Sequence, residues 1–90
     1  MTLTLKDTAD MMSSSDYKER FQAEYYQLVI RYGGLKDMIK KWDNGTLPFT
    51  PTCPRNIYDM QLKAMKDYLN VLKVRATMED VEIVQDIMYC

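Results

Sequence analysis

Between Tyr17 and Trp42 an apolar side chain recurs at steps of 4, 4, 3, 4, 3, 4 and 3, through Tyr17, Phe21, Tyr25, Leu28, Tyr32, Leu35, Ile39 and Trp42. That spacing gathers eight side chains on one side of a helix and scatters them over both faces of a strand. It therefore predicts a helix of about 40 Å, at 1.5 Å per residue. Asp16, followed by Glu19, opens it as a capping-box variant. Asp43, Asn44 and Gly45 close it with turn residues and a glycine that accepts the left-handed conformation. Gly33 and Gly34 lie inside the pattern, each costing about 1 kcal/mol relative to Ala. Close approach of another helix is the simpler offset, and a kink that opens a ligand-facing surface is the sharper one.

A second seam follows in Asn56–Ala76, where Tyr58, Leu62, Met65, Leu69, Leu72 and Ala76 step by 4, 3, 4, 3 and 4. Beside it Gln61, Tyr68 and Arg75 repeat every seven residues as a polar edge. The connector carries prolines at 48, 51 and 54, which suit an extended conformation. Leu47 and Phe49 are expected to anchor it, Pro54 to occupy the first turn of the second helix, and Thr52 or Cys53 to stand near its cap. A connector this short makes the helices antiparallel neighbours. Matching the seams places Ile39 near Gln61, Tyr32 near Tyr68, and Tyr25 with Glu24 near Arg75.

The ends are less regular. Thr4 with Asp7 can cap a short helix ending near Met12, and Leu3, Leu5, Met11 and Met12 are too apolar for an unattached arm. In the last segment Val81, Val84, Ile87 and Met88 fit a short helix, while Val81, Ile83 and the β-branched content fit a strand. The expected organisation is an N-terminal arm over 1–15, a helical hairpin over 16–78 with helices at about 16–43 and 54–77, and an acidic tail over 79–90. The expected fold class is all-α: an antiparallel two-helix hairpin with short terminal elements, assembled into an oligomer because so small a chain buries a thin core.

Composition narrows the chemistry. The 90 residues include no histidine and only two cysteines, Cys53 and Cys90, which falls short of a zinc ligand set or a disulfide framework. Both read as reduced thiols of a cytoplasmic protein. Without histidine the usual general base near neutral pH is missing, and no phosphate-cradling glycine loop or nucleophile–base pair occurs. The expectation is no enzyme, no metal and no cofactor, and no apolar run spans a bilayer. The net charge of −1 conceals +5 over residues 17–76 against −2 and −4 in the two ends. A cationic hairpin with anionic ends can attract a small anion or pair its own tails.

Six of the seven tyrosines fall in the hairpin among Arg20, Arg31, Lys36, Arg55, Lys63, Lys66 and Arg75. Aromatic faces stack on bases and cationic groups neutralise phosphates, so the mixture can hold a nucleotide. The plainer account is seam tyrosines with hydrated hydroxyls and a solvated basic face. Long nucleic acid fits poorly, because acids alternate with the basic residues.

The spacing Gln61-x-x-Ala64-Met65-x-x-Tyr68-x-x-x-Leu72-x-x-Arg75, preceded by Glu19-Arg20 and Tyr25-x-x-Leu28, resembles a family of small helical-hairpin proteins of bacteriophages and prophages, first noted in crAss-like phages. That family resembles in its hairpin the anti-CBASS and anti-Thoeris sponges, oligomers that sequester cyclic oligonucleotide or cyclic ADP-ribose signals without cleaving them. The resemblance covers about residues 17–76 and implies a phage protein acting in the host cytoplasm as a homo-oligomeric sponge. Arg20, Gln61, Tyr68 and Arg75 are the shared positions. With Tyr17, Lys18 and Tyr26 they form the candidate ligand-binding set, tyrosines stacking on bases and Arg20, Lys18 and Arg75 meeting phosphates at the open end. The alternative is a structural or regulatory hairpin that grips a phage or host protein, and a third reading is a small regulator that binds nucleic acid.

Overall fold

The computed structural model describes residues 3–84. It contains three helices, α1 (Leu5–Met12), α2 (Tyr17–Asp43) and α3 (Arg55–Met78), and no strand among the described residues. Ile87, Met88 and Cys90 lie outside them.

Each helix begins and ends for local reasons. The Thr4 hydroxyl accepts the Asp7 N–H at 3.2 Å while the Asp7 carboxylate accepts the Thr4 N–H at 3.0 Å, a complete capping box. At α2 the Asp16 carboxylate accepts from the Lys18 N–H at 3.0 Å, whereas the Asp16 N–H donates to the Ser14 hydroxyl at 3.1 Å. Ser14 thus takes the place expected of Glu19. Neither Thr52 nor Cys53 caps α3: Pro54 is itself the cap residue, with no side-chain hydrogen bond. Its carbonyl instead receives the Ile57 N–H at 3.1 Å.

Both long helices end in a left-handed residue and a 6→1 bond, α2 with the complete Schellman pair. In α2 the Gly45 N–H reaches the Trp42 carbonyl at 3.1 Å and the Thr46 N–H the Lys41 carbonyl at 2.9 Å, with Gly45 at φ 71°. In α3 the Val81 N–H reaches the Ala76 carbonyl at 2.8 Å, and the left-handed position is taken by Asp80 at φ 57°. Val81 and Ala76, the residues this motif brings together, are both buried.

Along α2 the seam side chains Phe21, Tyr25, Leu28 and Ile39 are buried, and on α3 so are Met65, Leu69, Leu72 and Ala76. The two helices pack through these faces. A second line on α2, Ala23, Tyr26, Ile30 and Gly33, is buried as well, although at 3.6 residues per turn it lies about half a turn from the first. α1 packs on α2 and makes no packing contact with α3, and Leu3 and Met11 join the core. α2 is therefore the central element, with α3 on one face and the terminal segments serving another.

Residues 80–84 are neither helix nor strand. They form a strap along α2: the Lys18 ammonium donates to the Asp80 carbonyl at 2.9 Å, the Gln22 amide to the Glu82 carbonyl at 2.8 Å, and the Val84 N–H to the Tyr26 hydroxyl at 3.0 Å. Every fourth helix residue meets every second strap residue. Four residues of helix advance about 6 Å and two of extended chain about 6.6 Å, so the rows stay in step. Val81 and Ile83 turn inward while Glu82 and Val84 stay exposed, the alternation that made the segment strand-like.

At the tip the Arg55 guanidinium grips Asp43 through two bonds of 2.5 and 3.2 Å and Asp59 at 3.1 Å, and it lies 5.5 Å from the Trp42 ring centre. Trp42 in turn meets Tyr58 edge-on at 5.9 Å. Leu47 is half-buried, whereas Phe49 is 56 % exposed beside Trp42 and Leu47 at the rim of a shallow hollow.

α2 runs as one helix through both glycines. Gly33 is buried on the face away from α3, whereas a Cβ at Gly34 would meet nothing within 4 Å. Gly34→Ala should therefore stabilise by about 1 kcal/mol. Asp80→Gly, which relieves a side chain in the left-handed region, should add about 0.5–1 kcal/mol. Leu72→Ala, at a fully buried seam position, should cost about 2–5 kcal/mol. Urea unfolding at constant m-value measures all three.

Candidate functional site

The open end of the hairpin is held by a polar cluster built on the first turns of α2 and the last turn of α3. Tyr17 donates its hydroxyl proton to Glu79 at 2.5 Å and accepts from the Arg75 Nη2 at 3.0 Å. Arg75 also donates from Nε to Glu79 at 2.8 Å. The same guanidinium lies 5.0 Å from the Phe21 ring centre, and Arg20 lies 5.9 Å from that of Tyr17. Arg20 further donates to the Ser14 carbonyl at 2.8 Å. Three side chains thus close a ring of Tyr17, Arg75 and Glu79, and Arg20 caps the tyrosine's face.

The protonation states follow from these bonds. Hydrogen bonding to Glu79, then burial, raises the Tyr17 phenol above its ordinary 10.0, with Arg75 opposing. The same Tyr17 bond, then Arg75, lowers Glu79 below 4.5. Tyr68 donates to the Glu24 carboxylate, which raises its phenol above 10.0. At the tip the Arg55 hydrogen bonds hold Asp43 below 3.8.

Of the positions marked by the sequence, Tyr17, Arg20 and Arg75 come together at the open end. Tyr68 stands two turns back on α3, 44 % exposed and beside Glu24. The expected pairing of Glu24 with Arg75 is thus replaced by Glu24 with Tyr68, so the side-chain contacts at this end sit about one to two turns from the seam-matched register. At the tip, where Trp42 meets Tyr58, that register holds. Gln61 is exposed, 14 positions from Arg75 and so about 21 Å along the helix.

Two other positions fall elsewhere. Tyr26 is 5 % exposed and its hydroxyl is occupied by the strap, so it serves the core and offers no face for stacking. Lys18 lies on the opposite side of the α2–α3 pair, in an open groove of about 850 Å³ that also involves Asp16, Glu19, Lys73, Asp80 and Glu82. Four carboxylates against two ammonium groups make that groove acidic, unsuited to a phosphate. Glu24, which the seam matching had placed beside Arg75, orients Tyr68, and Glu79, which orients Tyr17, is the participant that residue spacing did not mark. Its place four positions after Arg75 was the available signal.

The described residues hold no group of three or more His, Cys, Asp or Glu that could bind a metal, and no helix long and apolar enough to cross a membrane. The arrangement offers two half-exposed phenols and two guanidinium groups on one side of the hairpin.

The family model described as Sequestin matches residues 15–78. That span holds α2, the connector and α3, and leaves out α1 and the strap. No curated protein and no solved structure matches the chain.

The pH dependence of stability has a definite sign. Asp43 and Glu79, lowered in the fold, contribute in full above their unfolded values near 3.8 and 4.5 and lose that contribution as pH falls toward their folded values. Tyr17 and Tyr68, raised in the fold, contribute in full below pH 10.0 and lose it as pH rises through their folded values. Urea midpoints should therefore fall at both extremes. Asp43→Asn and Glu79→Gln should flatten the acid limb, and Tyr68→Phe the alkaline limb.

Proposed function

Since this chain belongs to the Sequestin family, we propose that it works by sequestration, holding a small anionic signal of cyclic oligonucleotide or cyclic ADP-ribose type without cleaving it. The family's name supports capture as the mode of action. The resemblance to phage sponges supports the host cytoplasm as the place, bacterial immune signalling as the target and a homo-oligomer as the working form. The observation that carries the reading is the side of the hairpin where Tyr17 and Tyr68, 47 % and 44 % exposed, stand with Arg20 and Arg75.

Each part of that side has a role. A base stacked on an exposed phenol gains about 1–3 kcal/mol. Glu79 and Tyr17 hold the Arg75 fork in one orientation, so less freedom is lost when a phosphate exchanges for Glu79. Arg20, tied only to a backbone carbonyl and a ring face, keeps donors for a second phosphate oxygen. Lys18 and Tyr26, on the acidic groove and in the core, take no part. On this reading the captured signal is released unchanged.

The test is thermal unfolding against cyclic dinucleotides, cyclic trinucleotides and cyclic ADP-ribose isomers, with linear nucleotides as controls. A signal at 100 times its dissociation constant adds about 2.7 kcal/mol, a shift of several degrees for a domain of this size. One cyclic class should shift the transition and be recovered intact after heating. Arg20→Ala should weaken its binding at least about tenfold with little change in the unliganded protein. A flat response across the panel rejects the reading and favours the protein-gripping hairpin.

A further inference from the structure

α3 carries a second seam that the fold leaves uncovered. Ile57, Met60, Ala64, Asp67, Val71, Val74 and Met78 step by 3, 4, 3, 4, 3 and 4, the heptad pattern again. At 3.6 residues per turn this line lies nearly half a turn from the buried seam. Ile57, Met60, Val71, Val74 and Met78 are 44, 65, 53, 59 and 80 % exposed. A shallow apolar hollow of about 290 Å³ runs along Asn70, Val71, Val74 and Arg75. The strip is about 32 Å long and one helix face wide, about 300 Å² interrupted by Asp67, comparable to the largest apolar patch of an ordinary monomer, which is often functional.

We propose that this seam pairs antiparallel with the same seam of a second copy, and that the pairing completes the ligand site by setting Gln61 of one chain beside the partner's Arg75. A heptad seam of this length accepts a helix with a matching seam, and the charges fit a copy of itself. In a parallel, in-register pair Asp67 would meet the partner's Asp67 in the middle of the apolar strip, an unfavourable like-charge contact. Antiparallel, with Met60 against the partner's Met78 and Ala64 against the partner's Val74, Asp67 meets the partner's Val71. Its charge is then answered by its own Lys63, 2.9 Å away.

No like charges meet along either edge of that arrangement. On one edge Lys63 faces the partner's Thr77, and Asn70 the partner's Asn70. The other edge is the polar line of Gln61, Tyr68 and Arg75, which lies between the two seams of α3. There Tyr68 faces the partner's Tyr68 and Gln61 the partner's Arg75. Residues about 21 Å apart within one chain become neighbours across the interface. The two-fold axis makes two such places per dimer, so one ligand binds per chain. This deepens the sequestration reading and rests on it for the ligand, whereas the interface stands on the seam alone.

Light scattering on the full chain at micromolar concentration should give about twice 10.6 kDa. Val71→Glu and Met60→Lys, at exposed positions, should each halve the mass while circular dichroism shows unchanged helix content. A monomeric wild type, or a dimer indifferent to both variants, overturns the interface. With Cys53→Ser and Cys90→Ser as background, Ala64→Cys and Val74→Cys chains should form a disulfide when mixed and none alone. Self-crosslinking of each would show parallel pairing and overturn the site. With cyclic di-AMP and cyclic ADP-ribose as probes, Gln61→Ala and Arg75→Ala should each abolish binding of whichever probe binds wild type. Mixing them should restore about a quarter of capacity, since half the dimers regain one of two sites. No recovery overturns the shared site. If neither probe binds, sequestration of these classes fails while mass and crosslink still decide the interface.

Discussion

Everything else in this fold depends on α2 being covered on two opposite faces. A surface helix needs one apolar stripe against the core. α2 has two, one led by Phe21, Tyr25 and Leu28, the other by Ala23, Tyr26 and Ile30. A partner helix can satisfy only the first, so a bare hairpin would leave Tyr26 and Ile30 in water. The short α1 and the strap over residues 80–84 are the structural answer. They are small, yet without them the central helix would expose the larger part of a face.

The strap shows how little is needed to close such a surface. Three hydrogen bonds at Lys18, Gln22 and Tyr26 fix an extended segment because its rise matches the helix spacing. The left-handed turn at Asp80 aims the chain back along α2 instead of letting α3 continue. Val81 then reaches the core beside Ala76. The end of α3, the Arg75 and Glu79 pair and the strap are therefore one unit, and the polar cluster at the open end belongs to the fold's closure as much as to any ligand.

What the sequence made legible was whatever is decided locally. The heptad steps, the Thr4–Asp7 box and the glycine at 45 are set by residues within a turn or two, and each is found where the spacing put it. The first seam on α2 was legible for the same reason. The second was obscured because Ala23 and Gly33 carry little or no side chain and Tyr26 reads equally well as a polar ring. Contacts between helices were less accessible still. Glu24 meets Tyr68 instead of Arg75 because side-chain reach allows a choice among neighbouring turns that seam matching cannot resolve. Of the candidate site, the open-end trio was legible from clustering of aromatic and cationic residues. The roles of Tyr26 and Lys18 were not, since burial and side of helix depend on the terminal segments.

The same logic explains why the polar edge of α3 matters to both fold and function. A helix with apolar seams nearly half a turn apart has only two flanks left. One flank carries Lys63, Asn70 and Thr77, all exposed. The other carries Gln61, Tyr68 and Arg75, of which Tyr68 reaches Glu24 of α2, and Arg75 reaches Tyr17 of α2 and the cap residue Glu79. Substitution on that flank is therefore read twice, once by the hairpin and once by whatever lies against the outer seam. A binding site there inherits its rigidity from the core beside it, through Glu24 and Glu79. It gains enclosure only when the outer seam is covered, because α3 by itself presents a convex surface and a small ligand needs walls. The proposed capture would ask for no more than this: oriented donors, stacking faces and a second wall.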